Sequence, residues 1–180
     1  DDEKLVVVTT GGGGDGYKVM DAYLSMLESE TGSIPFKSVL VTGPFMPVNE
    51  RLSLIKRANR LGVRTYRFYR WMEKMLAAAD LVIGMGGYNT VCEILSQRTP
   101  CLIIPRENPR KEQLIRAQVL NERKLVNFIP WTSYTPDSLR KAISRILECP
   151  EIHQDEMTGF KMTGFDIMSQ RLEHFRSKKE

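Results

Sequence analysis

Long apolar runs, histidines and paired cysteines are all scarce in this sequence, and each scarcity removes a class of function. No stretch approaches the ~20 consecutive apolar residues that span a bilayer. The opening residues, Asp1 to Lys4, are charged where a signal peptide needs an apolar segment. A soluble, cytoplasmic chain is therefore expected. It starts without Met and runs almost at once into an apolar segment, so a piece of a longer protein is expected too. The three cysteines, Cys92, Cys101 and Cys149, are odd in number and widely spaced, which argues for free thiols and against a disulfide framework or a metal site. The two histidines, His153 and His174, sit near the C-terminus, and no Ser/His/Asp or Cys/His arrangement accompanies them. A formal charge of +4 suits an anionic ligand but falls short of a nucleic-acid surface. The basic residues between Arg51 and Lys74 read as solvated surface, and no nucleic-acid partner is expected.

What is present is a regular alternation of short apolar runs with amphipathic stretches, the pattern of βα units feeding a parallel sheet covered on both faces. Strands are expected near Leu5–Thr9, Ser38–Thr42, Val63–Arg67, Leu81–Gly84, Cys101–Pro105 and Leu125–Ile129. Helices are expected near Tyr17–Ser29, Asn49–Arg60, Trp71–Ala79, Asn89–Gln97, Lys111–Glu122 and Pro136–Glu148. The fold class is thus α/β, a Rossmann-like doubly wound sheet of six mostly parallel strands over residues 1–150. Residues 151–180 form a C-terminal helical tail, with a polar helix near Ile167–Arg176.

Ligands of such sheets bind beyond the carboxyl ends of the strands, where helix N-termini converge. Three loops fall there. The first, Gly11 to Gly16, follows an apolar strand and opens a helix, so its backbone N–H groups can approach a phosphate closely, above all at Gly12, Gly13 and Gly14. Gly11, Gly13 and Gly16 also spell the dinucleotide fingerprint, but that motif needs a carboxylate at the end of the second strand. This chain has Val41, Thr42, Gly43 and Pro44 there, which ranks a dinucleotide-dependent dehydrogenase low.

The second loop runs from Met85 to Glu93. Gly86 and Gly87 clear space for a diphosphate, and Asn89 and Thr90 offer donors at a helix start. Glu93 has two readings: it accepts hydrogen bonds from a ribose diol, or it closes a capping box with Thr90 in the pattern TxxE. The third loop, Glu107 to Gln113, brings Glu112 and Gln113 to the start of a helix, where a carboxylate and an amide can hold sugar hydroxyls. Arg106 and Arg110 add positive charge that could stabilise a leaving diphosphate.

Together the three loops resemble the C-terminal domain of the GT-B glycosyltransferases, in particular the group typified by the MurG UDP-N-acetylglucosamine transferases. The likeness runs from about Leu5 to Leu147 and is most specific at Gly87, Tyr88, Asn89, Thr90 and Glu93, followed by Glu112 and Gln113. The resemblance implies that Glu93 holds ribose, which favours that reading over the capping box, and that Gly87, Asn89 and Thr90 meet the diphosphate. It places Phe68, Tyr69, Arg70 and Met72 against uracil, largely through backbone groups, and Gln113 against the donor sugar. It also implies an inverting, metal-independent transfer from a UDP-sugar, with acceptor site and catalytic base in an N-terminal domain absent from this chain. No cofactor is expected beyond the donor. Two positions depart from the family pattern: Met85 stands where many relatives have His or Arg, and Leu114 where MurG has a second Gln. An alternative is a noncatalytic nucleotide-sugar-binding subunit completed by a membrane partner, an arrangement that the soluble subunit of the eukaryotic dolichol-linked GlcNAc transferase resembles. Peripheral membrane contact of the full-length enzyme is compatible with this reading.

Overall fold

A computed structural model of the chain describes residues 3–32, 34–149 and 163–177. Six strands, β1 (Lys4–Thr9), β2 (Phe36–Val41), β3 (Arg64–Tyr66), β4 (Leu81–Gly84), β5 (Cys101–Ile103) and β6 (Asn127–Phe128), form one sheet in the order β3-β2-β1-β4-β5-β6. Every neighbouring pair is parallel, so the sheet is wholly rather than mostly parallel. Between the strands run α1 (Tyr17–Glu28), α2 (Val48–Arg60), α3 (Met72–Ala78), α4 (Tyr88–Gln97) and α5 (Glu112–Glu122), with α6 (Pro136–Glu148) after β6 and α7 (Gly164–Ser177) beyond it.

Strand β1 explains the double cover. Its Val6, Val7 and Val8 are all fully buried, and side chains alternate across a strand with period two. Val6 and Val8 join a cluster with Val19, Met20, Leu24, Leu54, Ala58, Leu139 and Ile143, so α1, α2 and α6 lie on that face. Val7 joins Leu76, Val91, Ile94 and Ala117, so α3, α4 and α5 cover the other. A strand dry on both sides has no polar alternation, which is why it reads as an unbroken apolar run.

The order reverses at β1: the chain moves outward to β2 and β3, then returns to β4 on the other side of β1. The carboxyl ends of β1 and β4 therefore diverge into loops that cross to opposite faces, leaving a crevice between them. Polar contacts brace the opposite end of these strands. Asp80, just before β4, accepts from the Lys4 ammonium at 3.0 Å and from the Leu5 amide at 2.8 Å.

Observed strands at the β5–β6 edge are shorter than their apolar runs suggest. Leu125 and Val126 are buried under the end of α5 without pairing in the sheet, so apolarity there reflects packing of a connection and not ladder formation. The described side chains of α7 are exposed, including His174. His153 lies outside the described residues. No helix among the described residues is long and apolar enough to cross a membrane.

Candidate functional site

The three loops singled out by composition do meet at the carboxyl rim of the sheet. Residues Gly11 to Asp15 after β1, Met85 and Gly87 to Thr90 after β4, and Arg106 with Gln113 after β5 line one cleft of about 290 Å³, whereas Gly86 lines neither this cleft nor its neighbour. A second cleft of about 300 Å³ adjoins it and is lined by the ends of β1, β2 and β3 together with Phe68, Met72 and Glu93. Both share Gly11, Gly12, Asn89 and Thr90, so they are two ends of one trough crossing the switch point.

Glycine is required in the first loop because backbone presses on backbone. Gly13 sits at φ +88°, and a Cβ there would come within 2.0 Å of the Thr42 carbonyl oxygen. Gly43, at φ +85°, would place a Cβ 2.4 Å from the Gly11 carbonyl oxygen. Only residues without a Cβ can hold both positions. Phe45 donates its amide to the Gly12 carbonyl at 2.8 Å, tying the same two loops. The end of β2, where a dinucleotide site needs its ribose-holding carboxylate, packs on the glycine loop and brings Val41, Gly43 and Pro44 to the second cleft without a carboxylate.

Helix α4 opens into the trough, and α1 starts directly after the glycine loop that lines it. The residue before α1 is Gly16 and the residue before α4 is Gly87; neither helix has a side-chain cap, and neither first turn carries an acid. Their first N–H groups are left for an incoming acceptor. The start of α6 is built differently: Thr135 and Ser138 close a reciprocal capping box there. Because Gly87 is the capping position of α4, Thr90 falls inside the helix and Glu93 a turn deeper. The Thr90–Glu93 capping box is therefore not formed, and the Glu93 side chain faces the second cleft.

Other expected residues separate into those on the trough and those off it. Gln113 is buried, and its Oε1 accepts from the Arg106 amide at 3.2 Å while the side chain lines the first cleft. Arg106 lines the same cleft and ion-pairs with Asp15 and, at 3.8 Å, with Glu112. Glu112 itself and Arg110 line neither cleft. Phe68 and Met72 wall the second cleft, but Tyr69 turns its ring edge-on to Tyr66, at 5.2 Å between centroids, and Arg70 lies over Trp71 at 5.0 Å.

Residues that sequence reasoning missed are the braces. The Arg116 guanidinium donates to the Gly86 carbonyl at 2.6 Å and lies 5.6 Å from the centre of the Tyr88 ring, fixing the turn that leads into α4. Asp15, Gly43 and Phe45 act the same way on the glycine loop. Nothing local in the sequence marks them, since each acts across a long stretch of chain.

A wider hollow, about 740 Å³, lies at the opposite end of the sheet between Leu27, Phe36, Ser38 and Leu61. Lys37 and Arg64 also line it, but α1 and α2 end beside it, and helix C-termini present carbonyls that repel negative charge.

Residues 6–172 match the family model of the glycosyltransferase family 28 C-terminal domain. The chain belongs to that family. Among relatives, the UDP-N-acetylglucosamine–N-acetylmuramyl-(pentapeptide) pyrophosphoryl-undecaprenol N-acetylglucosamine transferase of Lactococcus lactis subsp. lactis is 28% identical over 173 residues, covering 94% of this chain and 48% of the relative. The enzyme of the same name from Natranaerobius thermophilus is 23% identical over 161 residues, covering 87% and 43%. Solved structures share the fold: Acinetobacter baumannii MurG superposes with a TM-score of 0.77 at 15% identity, covering 96% of this chain and 50% of that one. A calicheamicin glycosyltransferase gives 0.68 at 17% identity, covering 98% and 44%. This family 28 C-terminal domain is a MurG-like half of a GT-B fold, and the chain spans about half the length of the relatives it matches.

Proposed function

We propose that this chain is the donor-binding half of an inverting, metal-independent glycosyltransferase and that its trough holds a UDP-sugar. The observation that carries the reading is the shared wall of the two clefts, Gly11, Gly12, Asn89 and Thr90. One extended ligand laid across that wall has its charged middle over two uncapped helix starts and its nucleoside end beside a carboxylate.

In this reading the diphosphate accepts from amides around Gly12, Gly13, Gly14, Gly86 and Gly87 and from Asn89 and Thr90. Such groups are oriented before the ligand arrives, and each helix start acts as roughly half a positive charge. As the bond to the sugar breaks, negative charge grows on the leaving diphosphate, and donors already in place stabilise it without reorganising. Arg106 brings its guanidinium to the same end with its charge offset by Asp15 and Glu112, whereas Arg110 is left to the surroundings. Glu93 would be repelled by phosphate, so its fit is to the neutral ribose diol. Phe68 and Met72 supply apolar walls for uracil, with backbone groups near Tyr69 and Arg70 reading its edge. Gln113, already anchored through its Oε1, keeps its amide nitrogen for a sugar hydroxyl, with Glu112 nearby.

The acceptor and the base that deprotonates it belong to an N-terminal half, in the same chain or in a partner subunit. Residues 1–150 form the donor domain and 151–180 its tail. Isothermal titration of the chain with UDP, UDP-N-acetylglucosamine and NAD tests the assignment. UDP compounds are expected to bind and NAD not to; preference for NAD overturns it.

A further inference from the structure

Asp15 sits in a place that the donor reading does not explain. It lines the cleft proposed for a diphosphate, yet it carries a negative charge. Its carboxylate contacts the Arg106 guanidinium, joining the β1–α1 loop to the β5–α5 loop. Glu112 approaches the same guanidinium at 3.8 Å. The arginine of that cleft is therefore matched by two carboxylates, while its buried Nε finds no hydrogen-bond partner among the described residues.

The position along the trough decides which phosphate is affected. Glu93, Phe68 and Met72 mark the nucleoside end, and that end shares Gly11 and Gly12 with the phosphate cleft. Asp15 and Arg106 are absent from that end and lie instead where the cleft continues past Gly14 toward Lys18, Glu50, Glu107 and Trp131. A donor lying in the pose proposed above would place its sugar-bearing phosphate beside them. In a nucleotide sugar that phosphate is a diester with a single charge. In the free nucleoside diphosphate it is terminal, and with a second ionisation near pH 6 it carries about one more charge at pH 7.5. A fixed carboxylate beside it penalises the second species more than the first.

We propose that Asp15 is a specificity-determining residue that weakens the hold on free nucleoside diphosphate relative to the nucleotide sugar, by neutralising Arg106 and by adding like charge at the sugar-bearing phosphate. It thereby favours donor loading over product retention. The inference rests on the donor-site reading above.

The test measures affinity for UDP and for UDP-N-acetylglucosamine, at pH 7.5 and low salt, in the unaltered chain and in Asp15→Asn. Asp15→Ser serves as a second variant, and Asp137→Asn, at the exposed start of α6, is a control for net charge. UDP affinity is expected to rise about fivefold or more in both Asp15 variants, with a smaller rise for the nucleotide sugar and no change of preference in the control. The difference should shrink at high salt. An unchanged or reversed preference in folded Asp15 variants overturns this inference alone. Failure of the unaltered chain to bind either compound overturns the donor-site reading and this inference with it.

Discussion

The carbonyl oxygen of Thr42 stands where a side chain on Gly13 would have to be, since a Cβ built there comes within 2.0 Å of it. The contact is between backbones of two loops and cannot be relieved by rotating a side chain. Gly14, next in sequence, has open space around it and no positive φ. Gly13→Ala is therefore expected to destabilise the fold by about 2 kcal/mol or more, from left-handed strain and the collision together. Gly14→Ala should stay within about 0.5 kcal/mol. Urea unfolding of the two variants checks the contrast; equal effects would mean that the loops are not pressed together.

Glu93 separates binding from stability. No capping box exists for it to close, so Glu93→Gln should leave the urea midpoint within about 0.5 kcal/mol of the unaltered chain. Affinity for UDP should drop about tenfold or more, as expected when a charged acceptor of the ribose hydroxyls is lost. Calorimetry and denaturation on one preparation give both quantities. A stability loss with unchanged affinity contradicts the ribose role.

Arg116 tests the importance of a brace outside the cleft. Replacing it with Met keeps much of the stem but removes the hydrogen bond to Gly86 and the cation over Tyr88. The expected cost is about 1 kcal/mol in stability and a further loss in UDP affinity, through a looser turn before α4. Hydrogen exchange at the amides of residues 86–90 should accelerate in the variant. Unchanged exchange would show that the turn holds itself.

Acid should act through the α1–α2 contact. Arg57 joins Glu28, Asp21 and Ser25, and its hydrogen bond and charge hold the Glu28 carboxyl below the usual glutamate range. A carboxylate whose folded pKa is depressed contributes stability that is present above the unfolded value, about 4.3, and lost as pH falls through the folded value. Glu28 is well exposed, so solvent screening keeps the effect below about 1 kcal/mol. Melting temperature against pH should fall more steeply below pH 4.5 in the unaltered chain than in Glu28→Gln. Parallel curves would remove the pair from the acid response.

The thiols offer a probe of opening. Burial pushes the Cys101 thiol up to about 12, so it stays protonated at neutral pH, whereas Cys149 is exposed. A thiol reagent at pH 7.5 should modify Cys149 at once and Cys101 only as fast as the sheet opens. Rapid modification of Cys101 in the folded chain would place it at the surface.

Much of the site was legible because its parts are local. Glycines after an apolar strand, and a polar turn before an apolar helix, each declare a loop at the carboxyl rim. What stayed hidden has physical causes. The pattern TxxE at Thr90 and Glu93 is compatible with a capping box, and only the observed entry of the chain into α4, one turn earlier at Gly87, removes it. Leu125 and Val126 are as apolar as a strand, but they pack beneath α5 instead of pairing. Tyr69 and Arg70 lie between Phe68 and Met72, which wall the second cleft, but Tyr66 and Trp71 claim their side chains.

By itself the sequence determined the order of strands and helices, the double burial of β1 and the chemistry available to each loop, because periodicity, propensity and glycine placement act over a few residues. Tertiary structure alone decided the partners: Gly13 under Thr42, Arg116 on Gly86, Asp15 against Arg106. Those contacts join loops and helices that lie far apart in sequence and follow neighbouring or nearly neighbouring strands of the sheet. Loop-closure and packing energies, which depend on the whole chain, select them.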